Sequence, residues 1–163
     1  MEYLIDIIKE LEVEKENLLN EKEKNIQEIK HIDKKIDYYK YVIGQYNWWQ
    51  KIKQGQIESY RNTLEYSSSG SSLLSLTSFF PSNRLDLYIE SRIAKLKMEK
   101  AEIEESKNKI VKCVVSFLKA KNILESRNEQ IDLRVVEIDR EIDLKNNTDV
   151  TEKVYKLERG DKK

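Results

Sequence analysis

Residues Tyr66 to Arg84 read Y-S-S-S-G-S-S-L-L-S-L-T-S-F-F-P-S-N-R. Serine and glycine compete with helical hydrogen bonding or loosen the backbone, and Pro81 denies the chain a backbone donor, so no long helix runs through this stretch. Helical patterns of similar length flank it, which makes it a turn between two antiparallel helices. Asn83 with Asp86 three residues on forms a capping box for the second helix. The apolar run Leu73 to Phe80 reads as an ordered loop, with a short strand or hairpin as the alternative.

Before the break, positions a and d of a heptad counted from Met1 run Met1, Leu4, Ile8, Leu11, Lys15, Leu18, Lys22, Asn25, Ile29, Ile32, Ile36, Tyr39, Ile43, Tyr46, Gln50, Lys53, Ile57, Tyr60, Leu64. Fourteen of these nineteen are apolar or Tyr, without a shift of frame. A repeat of about 3.5 residues kept this long requires a partner helix, because a lone straight helix rotates its stripe out of contact. At about 1.5 Å per residue this helix spans on the order of 95 Å. After the break the same seam runs from Ile89 to Ile142, with twelve of sixteen positions apolar. The fold class is therefore all-α, a single long two-helix antiparallel coiled-coil hairpin. Helix one covers about 1–64, the loop about 65–84 and helix two about 85–145. Asn146-Asn147-Thr148-Asp149 marks a kink or fraying end before a short C-terminal helix and a disordered tail, about 149–163.

Two registers fit the seam. With residue numbers summing to about 146, Asn25 faces Lys121, while Tyr39 and Tyr46 lie against the stems of Lys107 and Lys100. This register also brings Glu14 near Arg134 and Glu21 near Arg127. A sum of 153 sets Lys53 against Lys100 in the core, so the first register is expected.

Lys+Arg and Asp+Glu both number 30, leaving zero net charge, and the signs alternate along the helices. That balance points to protein partners rather than nucleic acid. The start M-E-Y-L-I-D lacks the features of a signal peptide, and Cys113 is a lone cysteine suited to a reducing compartment, so a cytoplasmic monomer is expected. No apolar stretch approaches the roughly 20 residues of a transmembrane helix. His31 on a solvent-facing position and the distant Cys113 make neither a metal site nor a nucleophile pair, and the scattered glycines make no phosphate loop. No enzyme and no cofactor are expected. The Asn146-Asn147-Thr148 sequon carries no weight without a signal peptide.

One stretch departs from coiled-coil habit. Gly44 and Gly55 each cost a helix about 1 kcal/mol relative to Ala, and they lie among Tyr38, Tyr39, Tyr41, Tyr46, Trp48 and Trp49. Tyr41 and Trp48 fall at position f, pointing away from the partner helix. Either the apolar part of the break folds back over them, or they form an exposed protein-docking patch.

Tyr60-Arg61-Asn62-Thr63-Leu64, the loop end Ser82-Asn83-Arg84, Leu85, Tyr88, Ile93 and Leu96, and Ala120-Lys121-Asn122-Ile123-Leu124-Glu125-Ser126-Arg127 together resemble the FliJ family of bacterial flagellar export proteins and the related stalks of injectisome type III secretion. The chain departs from that family in a longer loop and at Arg92, where the family usually has a large apolar or aromatic residue. The resemblance implies a non-enzymatic stalk that sits in the pore of the hexameric export ATPase. It also implies contact with the cytoplasmic domain of the export gate protein FlhA, binding of export chaperones, and a location peripheral to the membrane-embedded gate. It places gate binding just after the bend, at Tyr88, Arg92, Lys95 and Met98, which share one side of helix two. The end free of loops, with Arg127, Arg134 and Arg140 among its charged outer faces, is expected to be the part that contacts the ATPase ring. A prefoldin-like chaperone subunit or a generic structural coiled-coil adaptor would share the two-helix layout.

Overall fold

The computed structural model describes residues 2–68 and 82–160. The chain is all-α, with α1 at Glu2–Ser68 and α2 at Ser82–Gly160 packed against each other. Every seam position from Leu4 to Leu64 and from Ile89 to Ile142 is buried or half-buried, so the heptad frame holds throughout both helices. The fully buried positions are all Leu or Ile, and no polar or charged residue is buried among the described residues. Cys113 is exposed.

The helices form two compact units. The first comprises Met1–Lys34 and Leu118–Lys163, the second Lys35–Phe117. In the first unit Asn25 Nδ2 donates to Asn128 Oδ1 at 2.9 Å, a pair whose residue numbers sum to 153. This overturns the expected register: Lys121 lies not against Asn25 but on Asp33, at 2.7 Å. In the second unit Tyr39 stacks on Phe117 with ring centroids 5.8 Å apart. Lys100 and Lys107, expected against Tyr46 and Tyr39, bond instead to Gln54 at 2.8 Å and Glu104 at 3.2 Å.

The objection to this register was two lysines facing one another in the core. The structure removes it by turning both heads outward: Lys53 takes Glu99 at 2.6 Å while Lys100 takes Gln54. Their stems cover apolar surface and their ammonium groups stay half-solvated. The same device recurs in the first unit. Lys15 takes Asp139 and Lys22 takes Asp132, each acid directly following a buried isoleucine, Ile138 or Ile131. The register thus gives five of the six seam lysines a partner on the other helix without burying a charge, leaves Lys107 to Glu104 of its own helix, and matches Asn with Asn.

In the second unit Ile57, Ile89, Ile93 and Leu96 form a buried cluster, with Tyr60 and Leu64 packed on it. The last turn of α1 has no basic residue and the first turn of α2 no acidic one, so charge does not compensate the helix dipoles there. The apolar cluster packs the end of α1 against the start of α2.

Three boundaries differ from expectation. α1 continues to Ser68, and α2 opens at Ser82, before the expected cap Asn83, whose side chain lies outside the described residues. α2 also runs unbroken through Asn146 to Asp149, where a kink was expected. There the hydroxyls of Thr148 and Thr151 donate to the carbonyls of Leu144 and Asn147, 2.8 and 2.6 Å away. These hydroxyls bond back onto the helix instead of competing with it. The connector, including Leu73 to Phe80, and the tail Asp161 to Lys163 lie outside the described residues.

The register is testable by crosslinking. Cysteines at Asn25 and Asn128 should oxidise to an intramolecular disulfide readily, and cysteines at Asn25 and Lys121 should do so poorly. Ile138, fully buried, should cost about 2 to 4 kcal/mol when replaced by Ala, measured by urea denaturation.

Candidate protein-interaction faces

Tyr88, Lys95 and Met98 are exposed on α2, Tyr88 by 57% and Met98 by 66%. Arg92, expected beside them, is instead half-buried and turned toward α1. Its guanidinium lies beside the Tyr60 phenol, which raises its pKa further, with Tyr88 and Glu99 adding to the effect. Its Nε is buried without a hydrogen-bond partner among the described residues. Gln56, Ser59, Tyr60, Arg92 and Leu96 line a recess of about 210 Å³ there. A large apolar residue at this position would simply cap the cluster of Ile57, Ile93 and Leu96. The arginine covers it with its stem and places a cation at the rim. Of the four residues, three are thus exposed to a partner and Arg92 is half-buried beside Tyr60 of α1.

The arginines of the first unit divide in the same way. Arg127 Nε and Nη2 donate to the two carboxylate oxygens of Glu21 at 2.7 and 3.0 Å. Arg134 clasps Glu14 at 2.8 and 3.2 Å and also reaches Glu137 and Glu141. Both cross-helix pairs expected from the sequence form, although the register was misjudged, because pairs flanking the seam are offset from those within it. These hydrogen bonds, chiefly from Arg134 and Arg127 respectively, hold Glu14 and Glu21 below the usual carboxylate pKa. Arg140 is exposed and makes no ion pair among the described residues.

In the second unit Tyr41 is 65% and Trp48 53% exposed, with Tyr38 and Trp49 exposed beside them. Trp48 and Trp49 meet edge to face at 4.9 Å, and Tyr38 leans on Tyr39 at 5.6 Å. Of the two readings of Tyr41 and Trp48, cover by the apolar part of the break rests on a connector that lies outside the described residues.

Another concave surface of this unit is an open groove of about 430 Å³ at Gln50, Gln54, Ile57, Arg61, Lys97, Lys100, Ala101 and Glu104. Gln50 donates to Glu104 within it. Among the described residues no group of His, Cys, Asp and Glu is placed to hold a metal ion, and no helix is long and apolar enough to cross a membrane. No family model matches this chain, and neither a curated protein nor a solved structure matches it.

The depressed pKa values set a sign for acid stability. A carboxylate held low in the folded state stabilises the fold above its unfolded pKa, about 4.3 for Glu, and that contribution disappears as pH falls through the folded value. Melting temperature should therefore drop as pH is lowered from 5 toward 3. Arg134→Met should lower it at pH 7, with the gap to the parent closing in acid. Thermal melts followed by circular dichroism would show this.

Proposed function

We propose that this chain is a non-enzymatic stalk and linker of a bacterial type III protein export apparatus. In this reading it inserts in the hexameric export ATPase ring, contacts the cytoplasmic domain of the gate protein FlhA and binds export chaperones, working in the cytoplasm beside the membrane-embedded gate. The observation that carries the proposal is that seam and flanking residues satisfy one another within the pair of helices, while Tyr88, Lys95, Met98 and Arg140 remain exposed on their outer faces. A protein of this kind acts by presenting helix faces to other proteins. The resemblance of 60–64, Ser82 to Leu85 with Tyr88, Ile93 and Leu96, and 120–127 to the FliJ family supports the setting.

The internal pairing of Arg127 and Arg134 dictates how ring contact is tested. Reversing either charge alone would set carboxylate against carboxylate across the seam and confound binding with stability. Exchanging partners, Arg127→Glu with Glu21→Arg, keeps the bridge while redistributing the outer charge, and Arg140→Glu disturbs no bridge. Combined, these changes should weaken ring binding and abolish stimulation of ATP hydrolysis at unchanged helicity. Full stimulation would remove the ring-stalk proposal. For gate binding, Tyr88→Ala with Met98→Ala should cost about 2 kcal/mol or more, roughly 30-fold in affinity for the gate domain by calorimetric titration, with little change in melting temperature.

A further inference from the structure

Pairing of the two helices leaves one face of the second unit unused. Positions 38, 41, 45 and 48 recur at helical spacing, so Tyr38, Tyr41 and Trp48 stand in one exposed row on the side of α1 turned from the seam. Gly44 lies beside that row, three residues after Tyr41 and four before Trp48. A Cβ added at Gly44 meets nothing within 4 Å. No close approach inside the described chain calls for bare backbone there, although glycine weakens the helix that carries it.

Charge separates this face from the rest of the molecule. From Tyr38 to Ile57 the sequence contains Lys40, Lys51 and Lys53 and no Asp or Glu, with the exposed acids Asp37 and Glu58 at the two ends of the run. Lys53 turns to Glu99 on α2. Lys40 and Lys51 are exposed and make no ion pair among the described residues. The face thus offers aromatic anchors, a notch one residue wide and the exposed cations Lys40 and Lys51, with Asp37 at its near edge.

We propose that it docks an acidic amphipathic α-helix of a partner protein, crossing α1 at Gly44 between Tyr41 and Trp48 with its carboxylates on Lys40 and Lys51. A missing side chain lets a second helix backbone come close, and the flanking rings supply the large rigid contacts on which binding energy concentrates. Other occupants fit less well. A second copy of the chain would set lysines on lysines, which electrostatic complementarity opposes. A lipid surface has no use for a notch a single residue wide. The docking requires only an acidic helix, whether or not that partner belongs to an export apparatus.

Trp48 and Trp49 are the two tryptophans of the chain, so intrinsic fluorescence reports on this face directly. A displayed library of helical peptides, with an apolar heptad seam and flanking positions free to be Glu, Gln or Lys, is selected on the full chain. Winners should be Glu-rich and should shift tryptophan emission to the blue. Their binding should fall at least tenfold with Gly44→Leu or with Lys40→Glu plus Lys51→Glu. Gly44→Leu should keep or raise the melting temperature, because the space beyond Gly44 is open, and Gly44→Ala should lose less binding in the same direction. An empty selection, neutral or basic winners, or winners indifferent to Gly44→Leu would overturn the proposal. A blue shift with phosphatidylglycerol vesicles alone would overturn it in favour of a membrane. A shift with rising concentration of the chain alone would do so in favour of a second copy.

Discussion

A lysine at the seam of two packed helices must keep its charge near water. Removing an ammonium group from solvent costs several kcal/mol unless a partner of good geometry replaces the lost hydration. Six lysines occupy seam positions here, at 15, 22, 53, 100, 107 and 121, too many to tolerate arbitrary neighbours. The observed register gives five of them an oxygen on the other helix within hydrogen-bonding reach, and Lys107 takes Glu104 one turn before it on its own helix. Apolar burial drives association of the helices, but these polar heads decide how they slide, because one heptad of slippage would strand several at once.

The fold class could be read from the sequence because its signal is periodic and redundant: a seam of nineteen positions survives five polar interruptions. The register was harder. Treating a seam lysine as a point inside the core makes Lys53 opposite Lys100 look prohibitive, whereas its four-carbon stem carries the charge beyond the core edge. A local signal for the correct answer was present. Ile32-Asp33, Ile131-Asp132 and Ile138-Asp139 each place an acid directly after a buried seam residue, and each acid takes a lysine from the other helix. The continuation of α2 through Asn146 to Asp149 was hidden for another reason: composition there favours a turn, and only the backbone decides whether threonine hydroxyls bond forward or back.

The outer faces show the same division. Heptad letters placed Tyr41, Trp48, Tyr88 and Met98 outside the seam, and they are exposed. Letters alone could not show that Arg92 turns inward onto Tyr60, because a long side chain near the seam edge has two destinations and its neighbours choose. Arg127 and Arg134 likewise look like free surface cations until their glutamates are paired across the seam.

The narrow core has a thermal consequence. Nine hydrophobic side chains are buried among the described residues, and the rest of the seam is half-covered and rich in charge. Unfolding therefore exposes little apolar area for the number of residues released. Apolar exposure raises the heat capacity and polar exposure lowers it, so the increment should lie below the roughly 12–15 cal/mol/K per residue of globular proteins. A small increment flattens the stability curve. Such a molecule has a shallow optimum, gives up little stability on cooling, and melts over a broad span of temperature rather than at a sharp point.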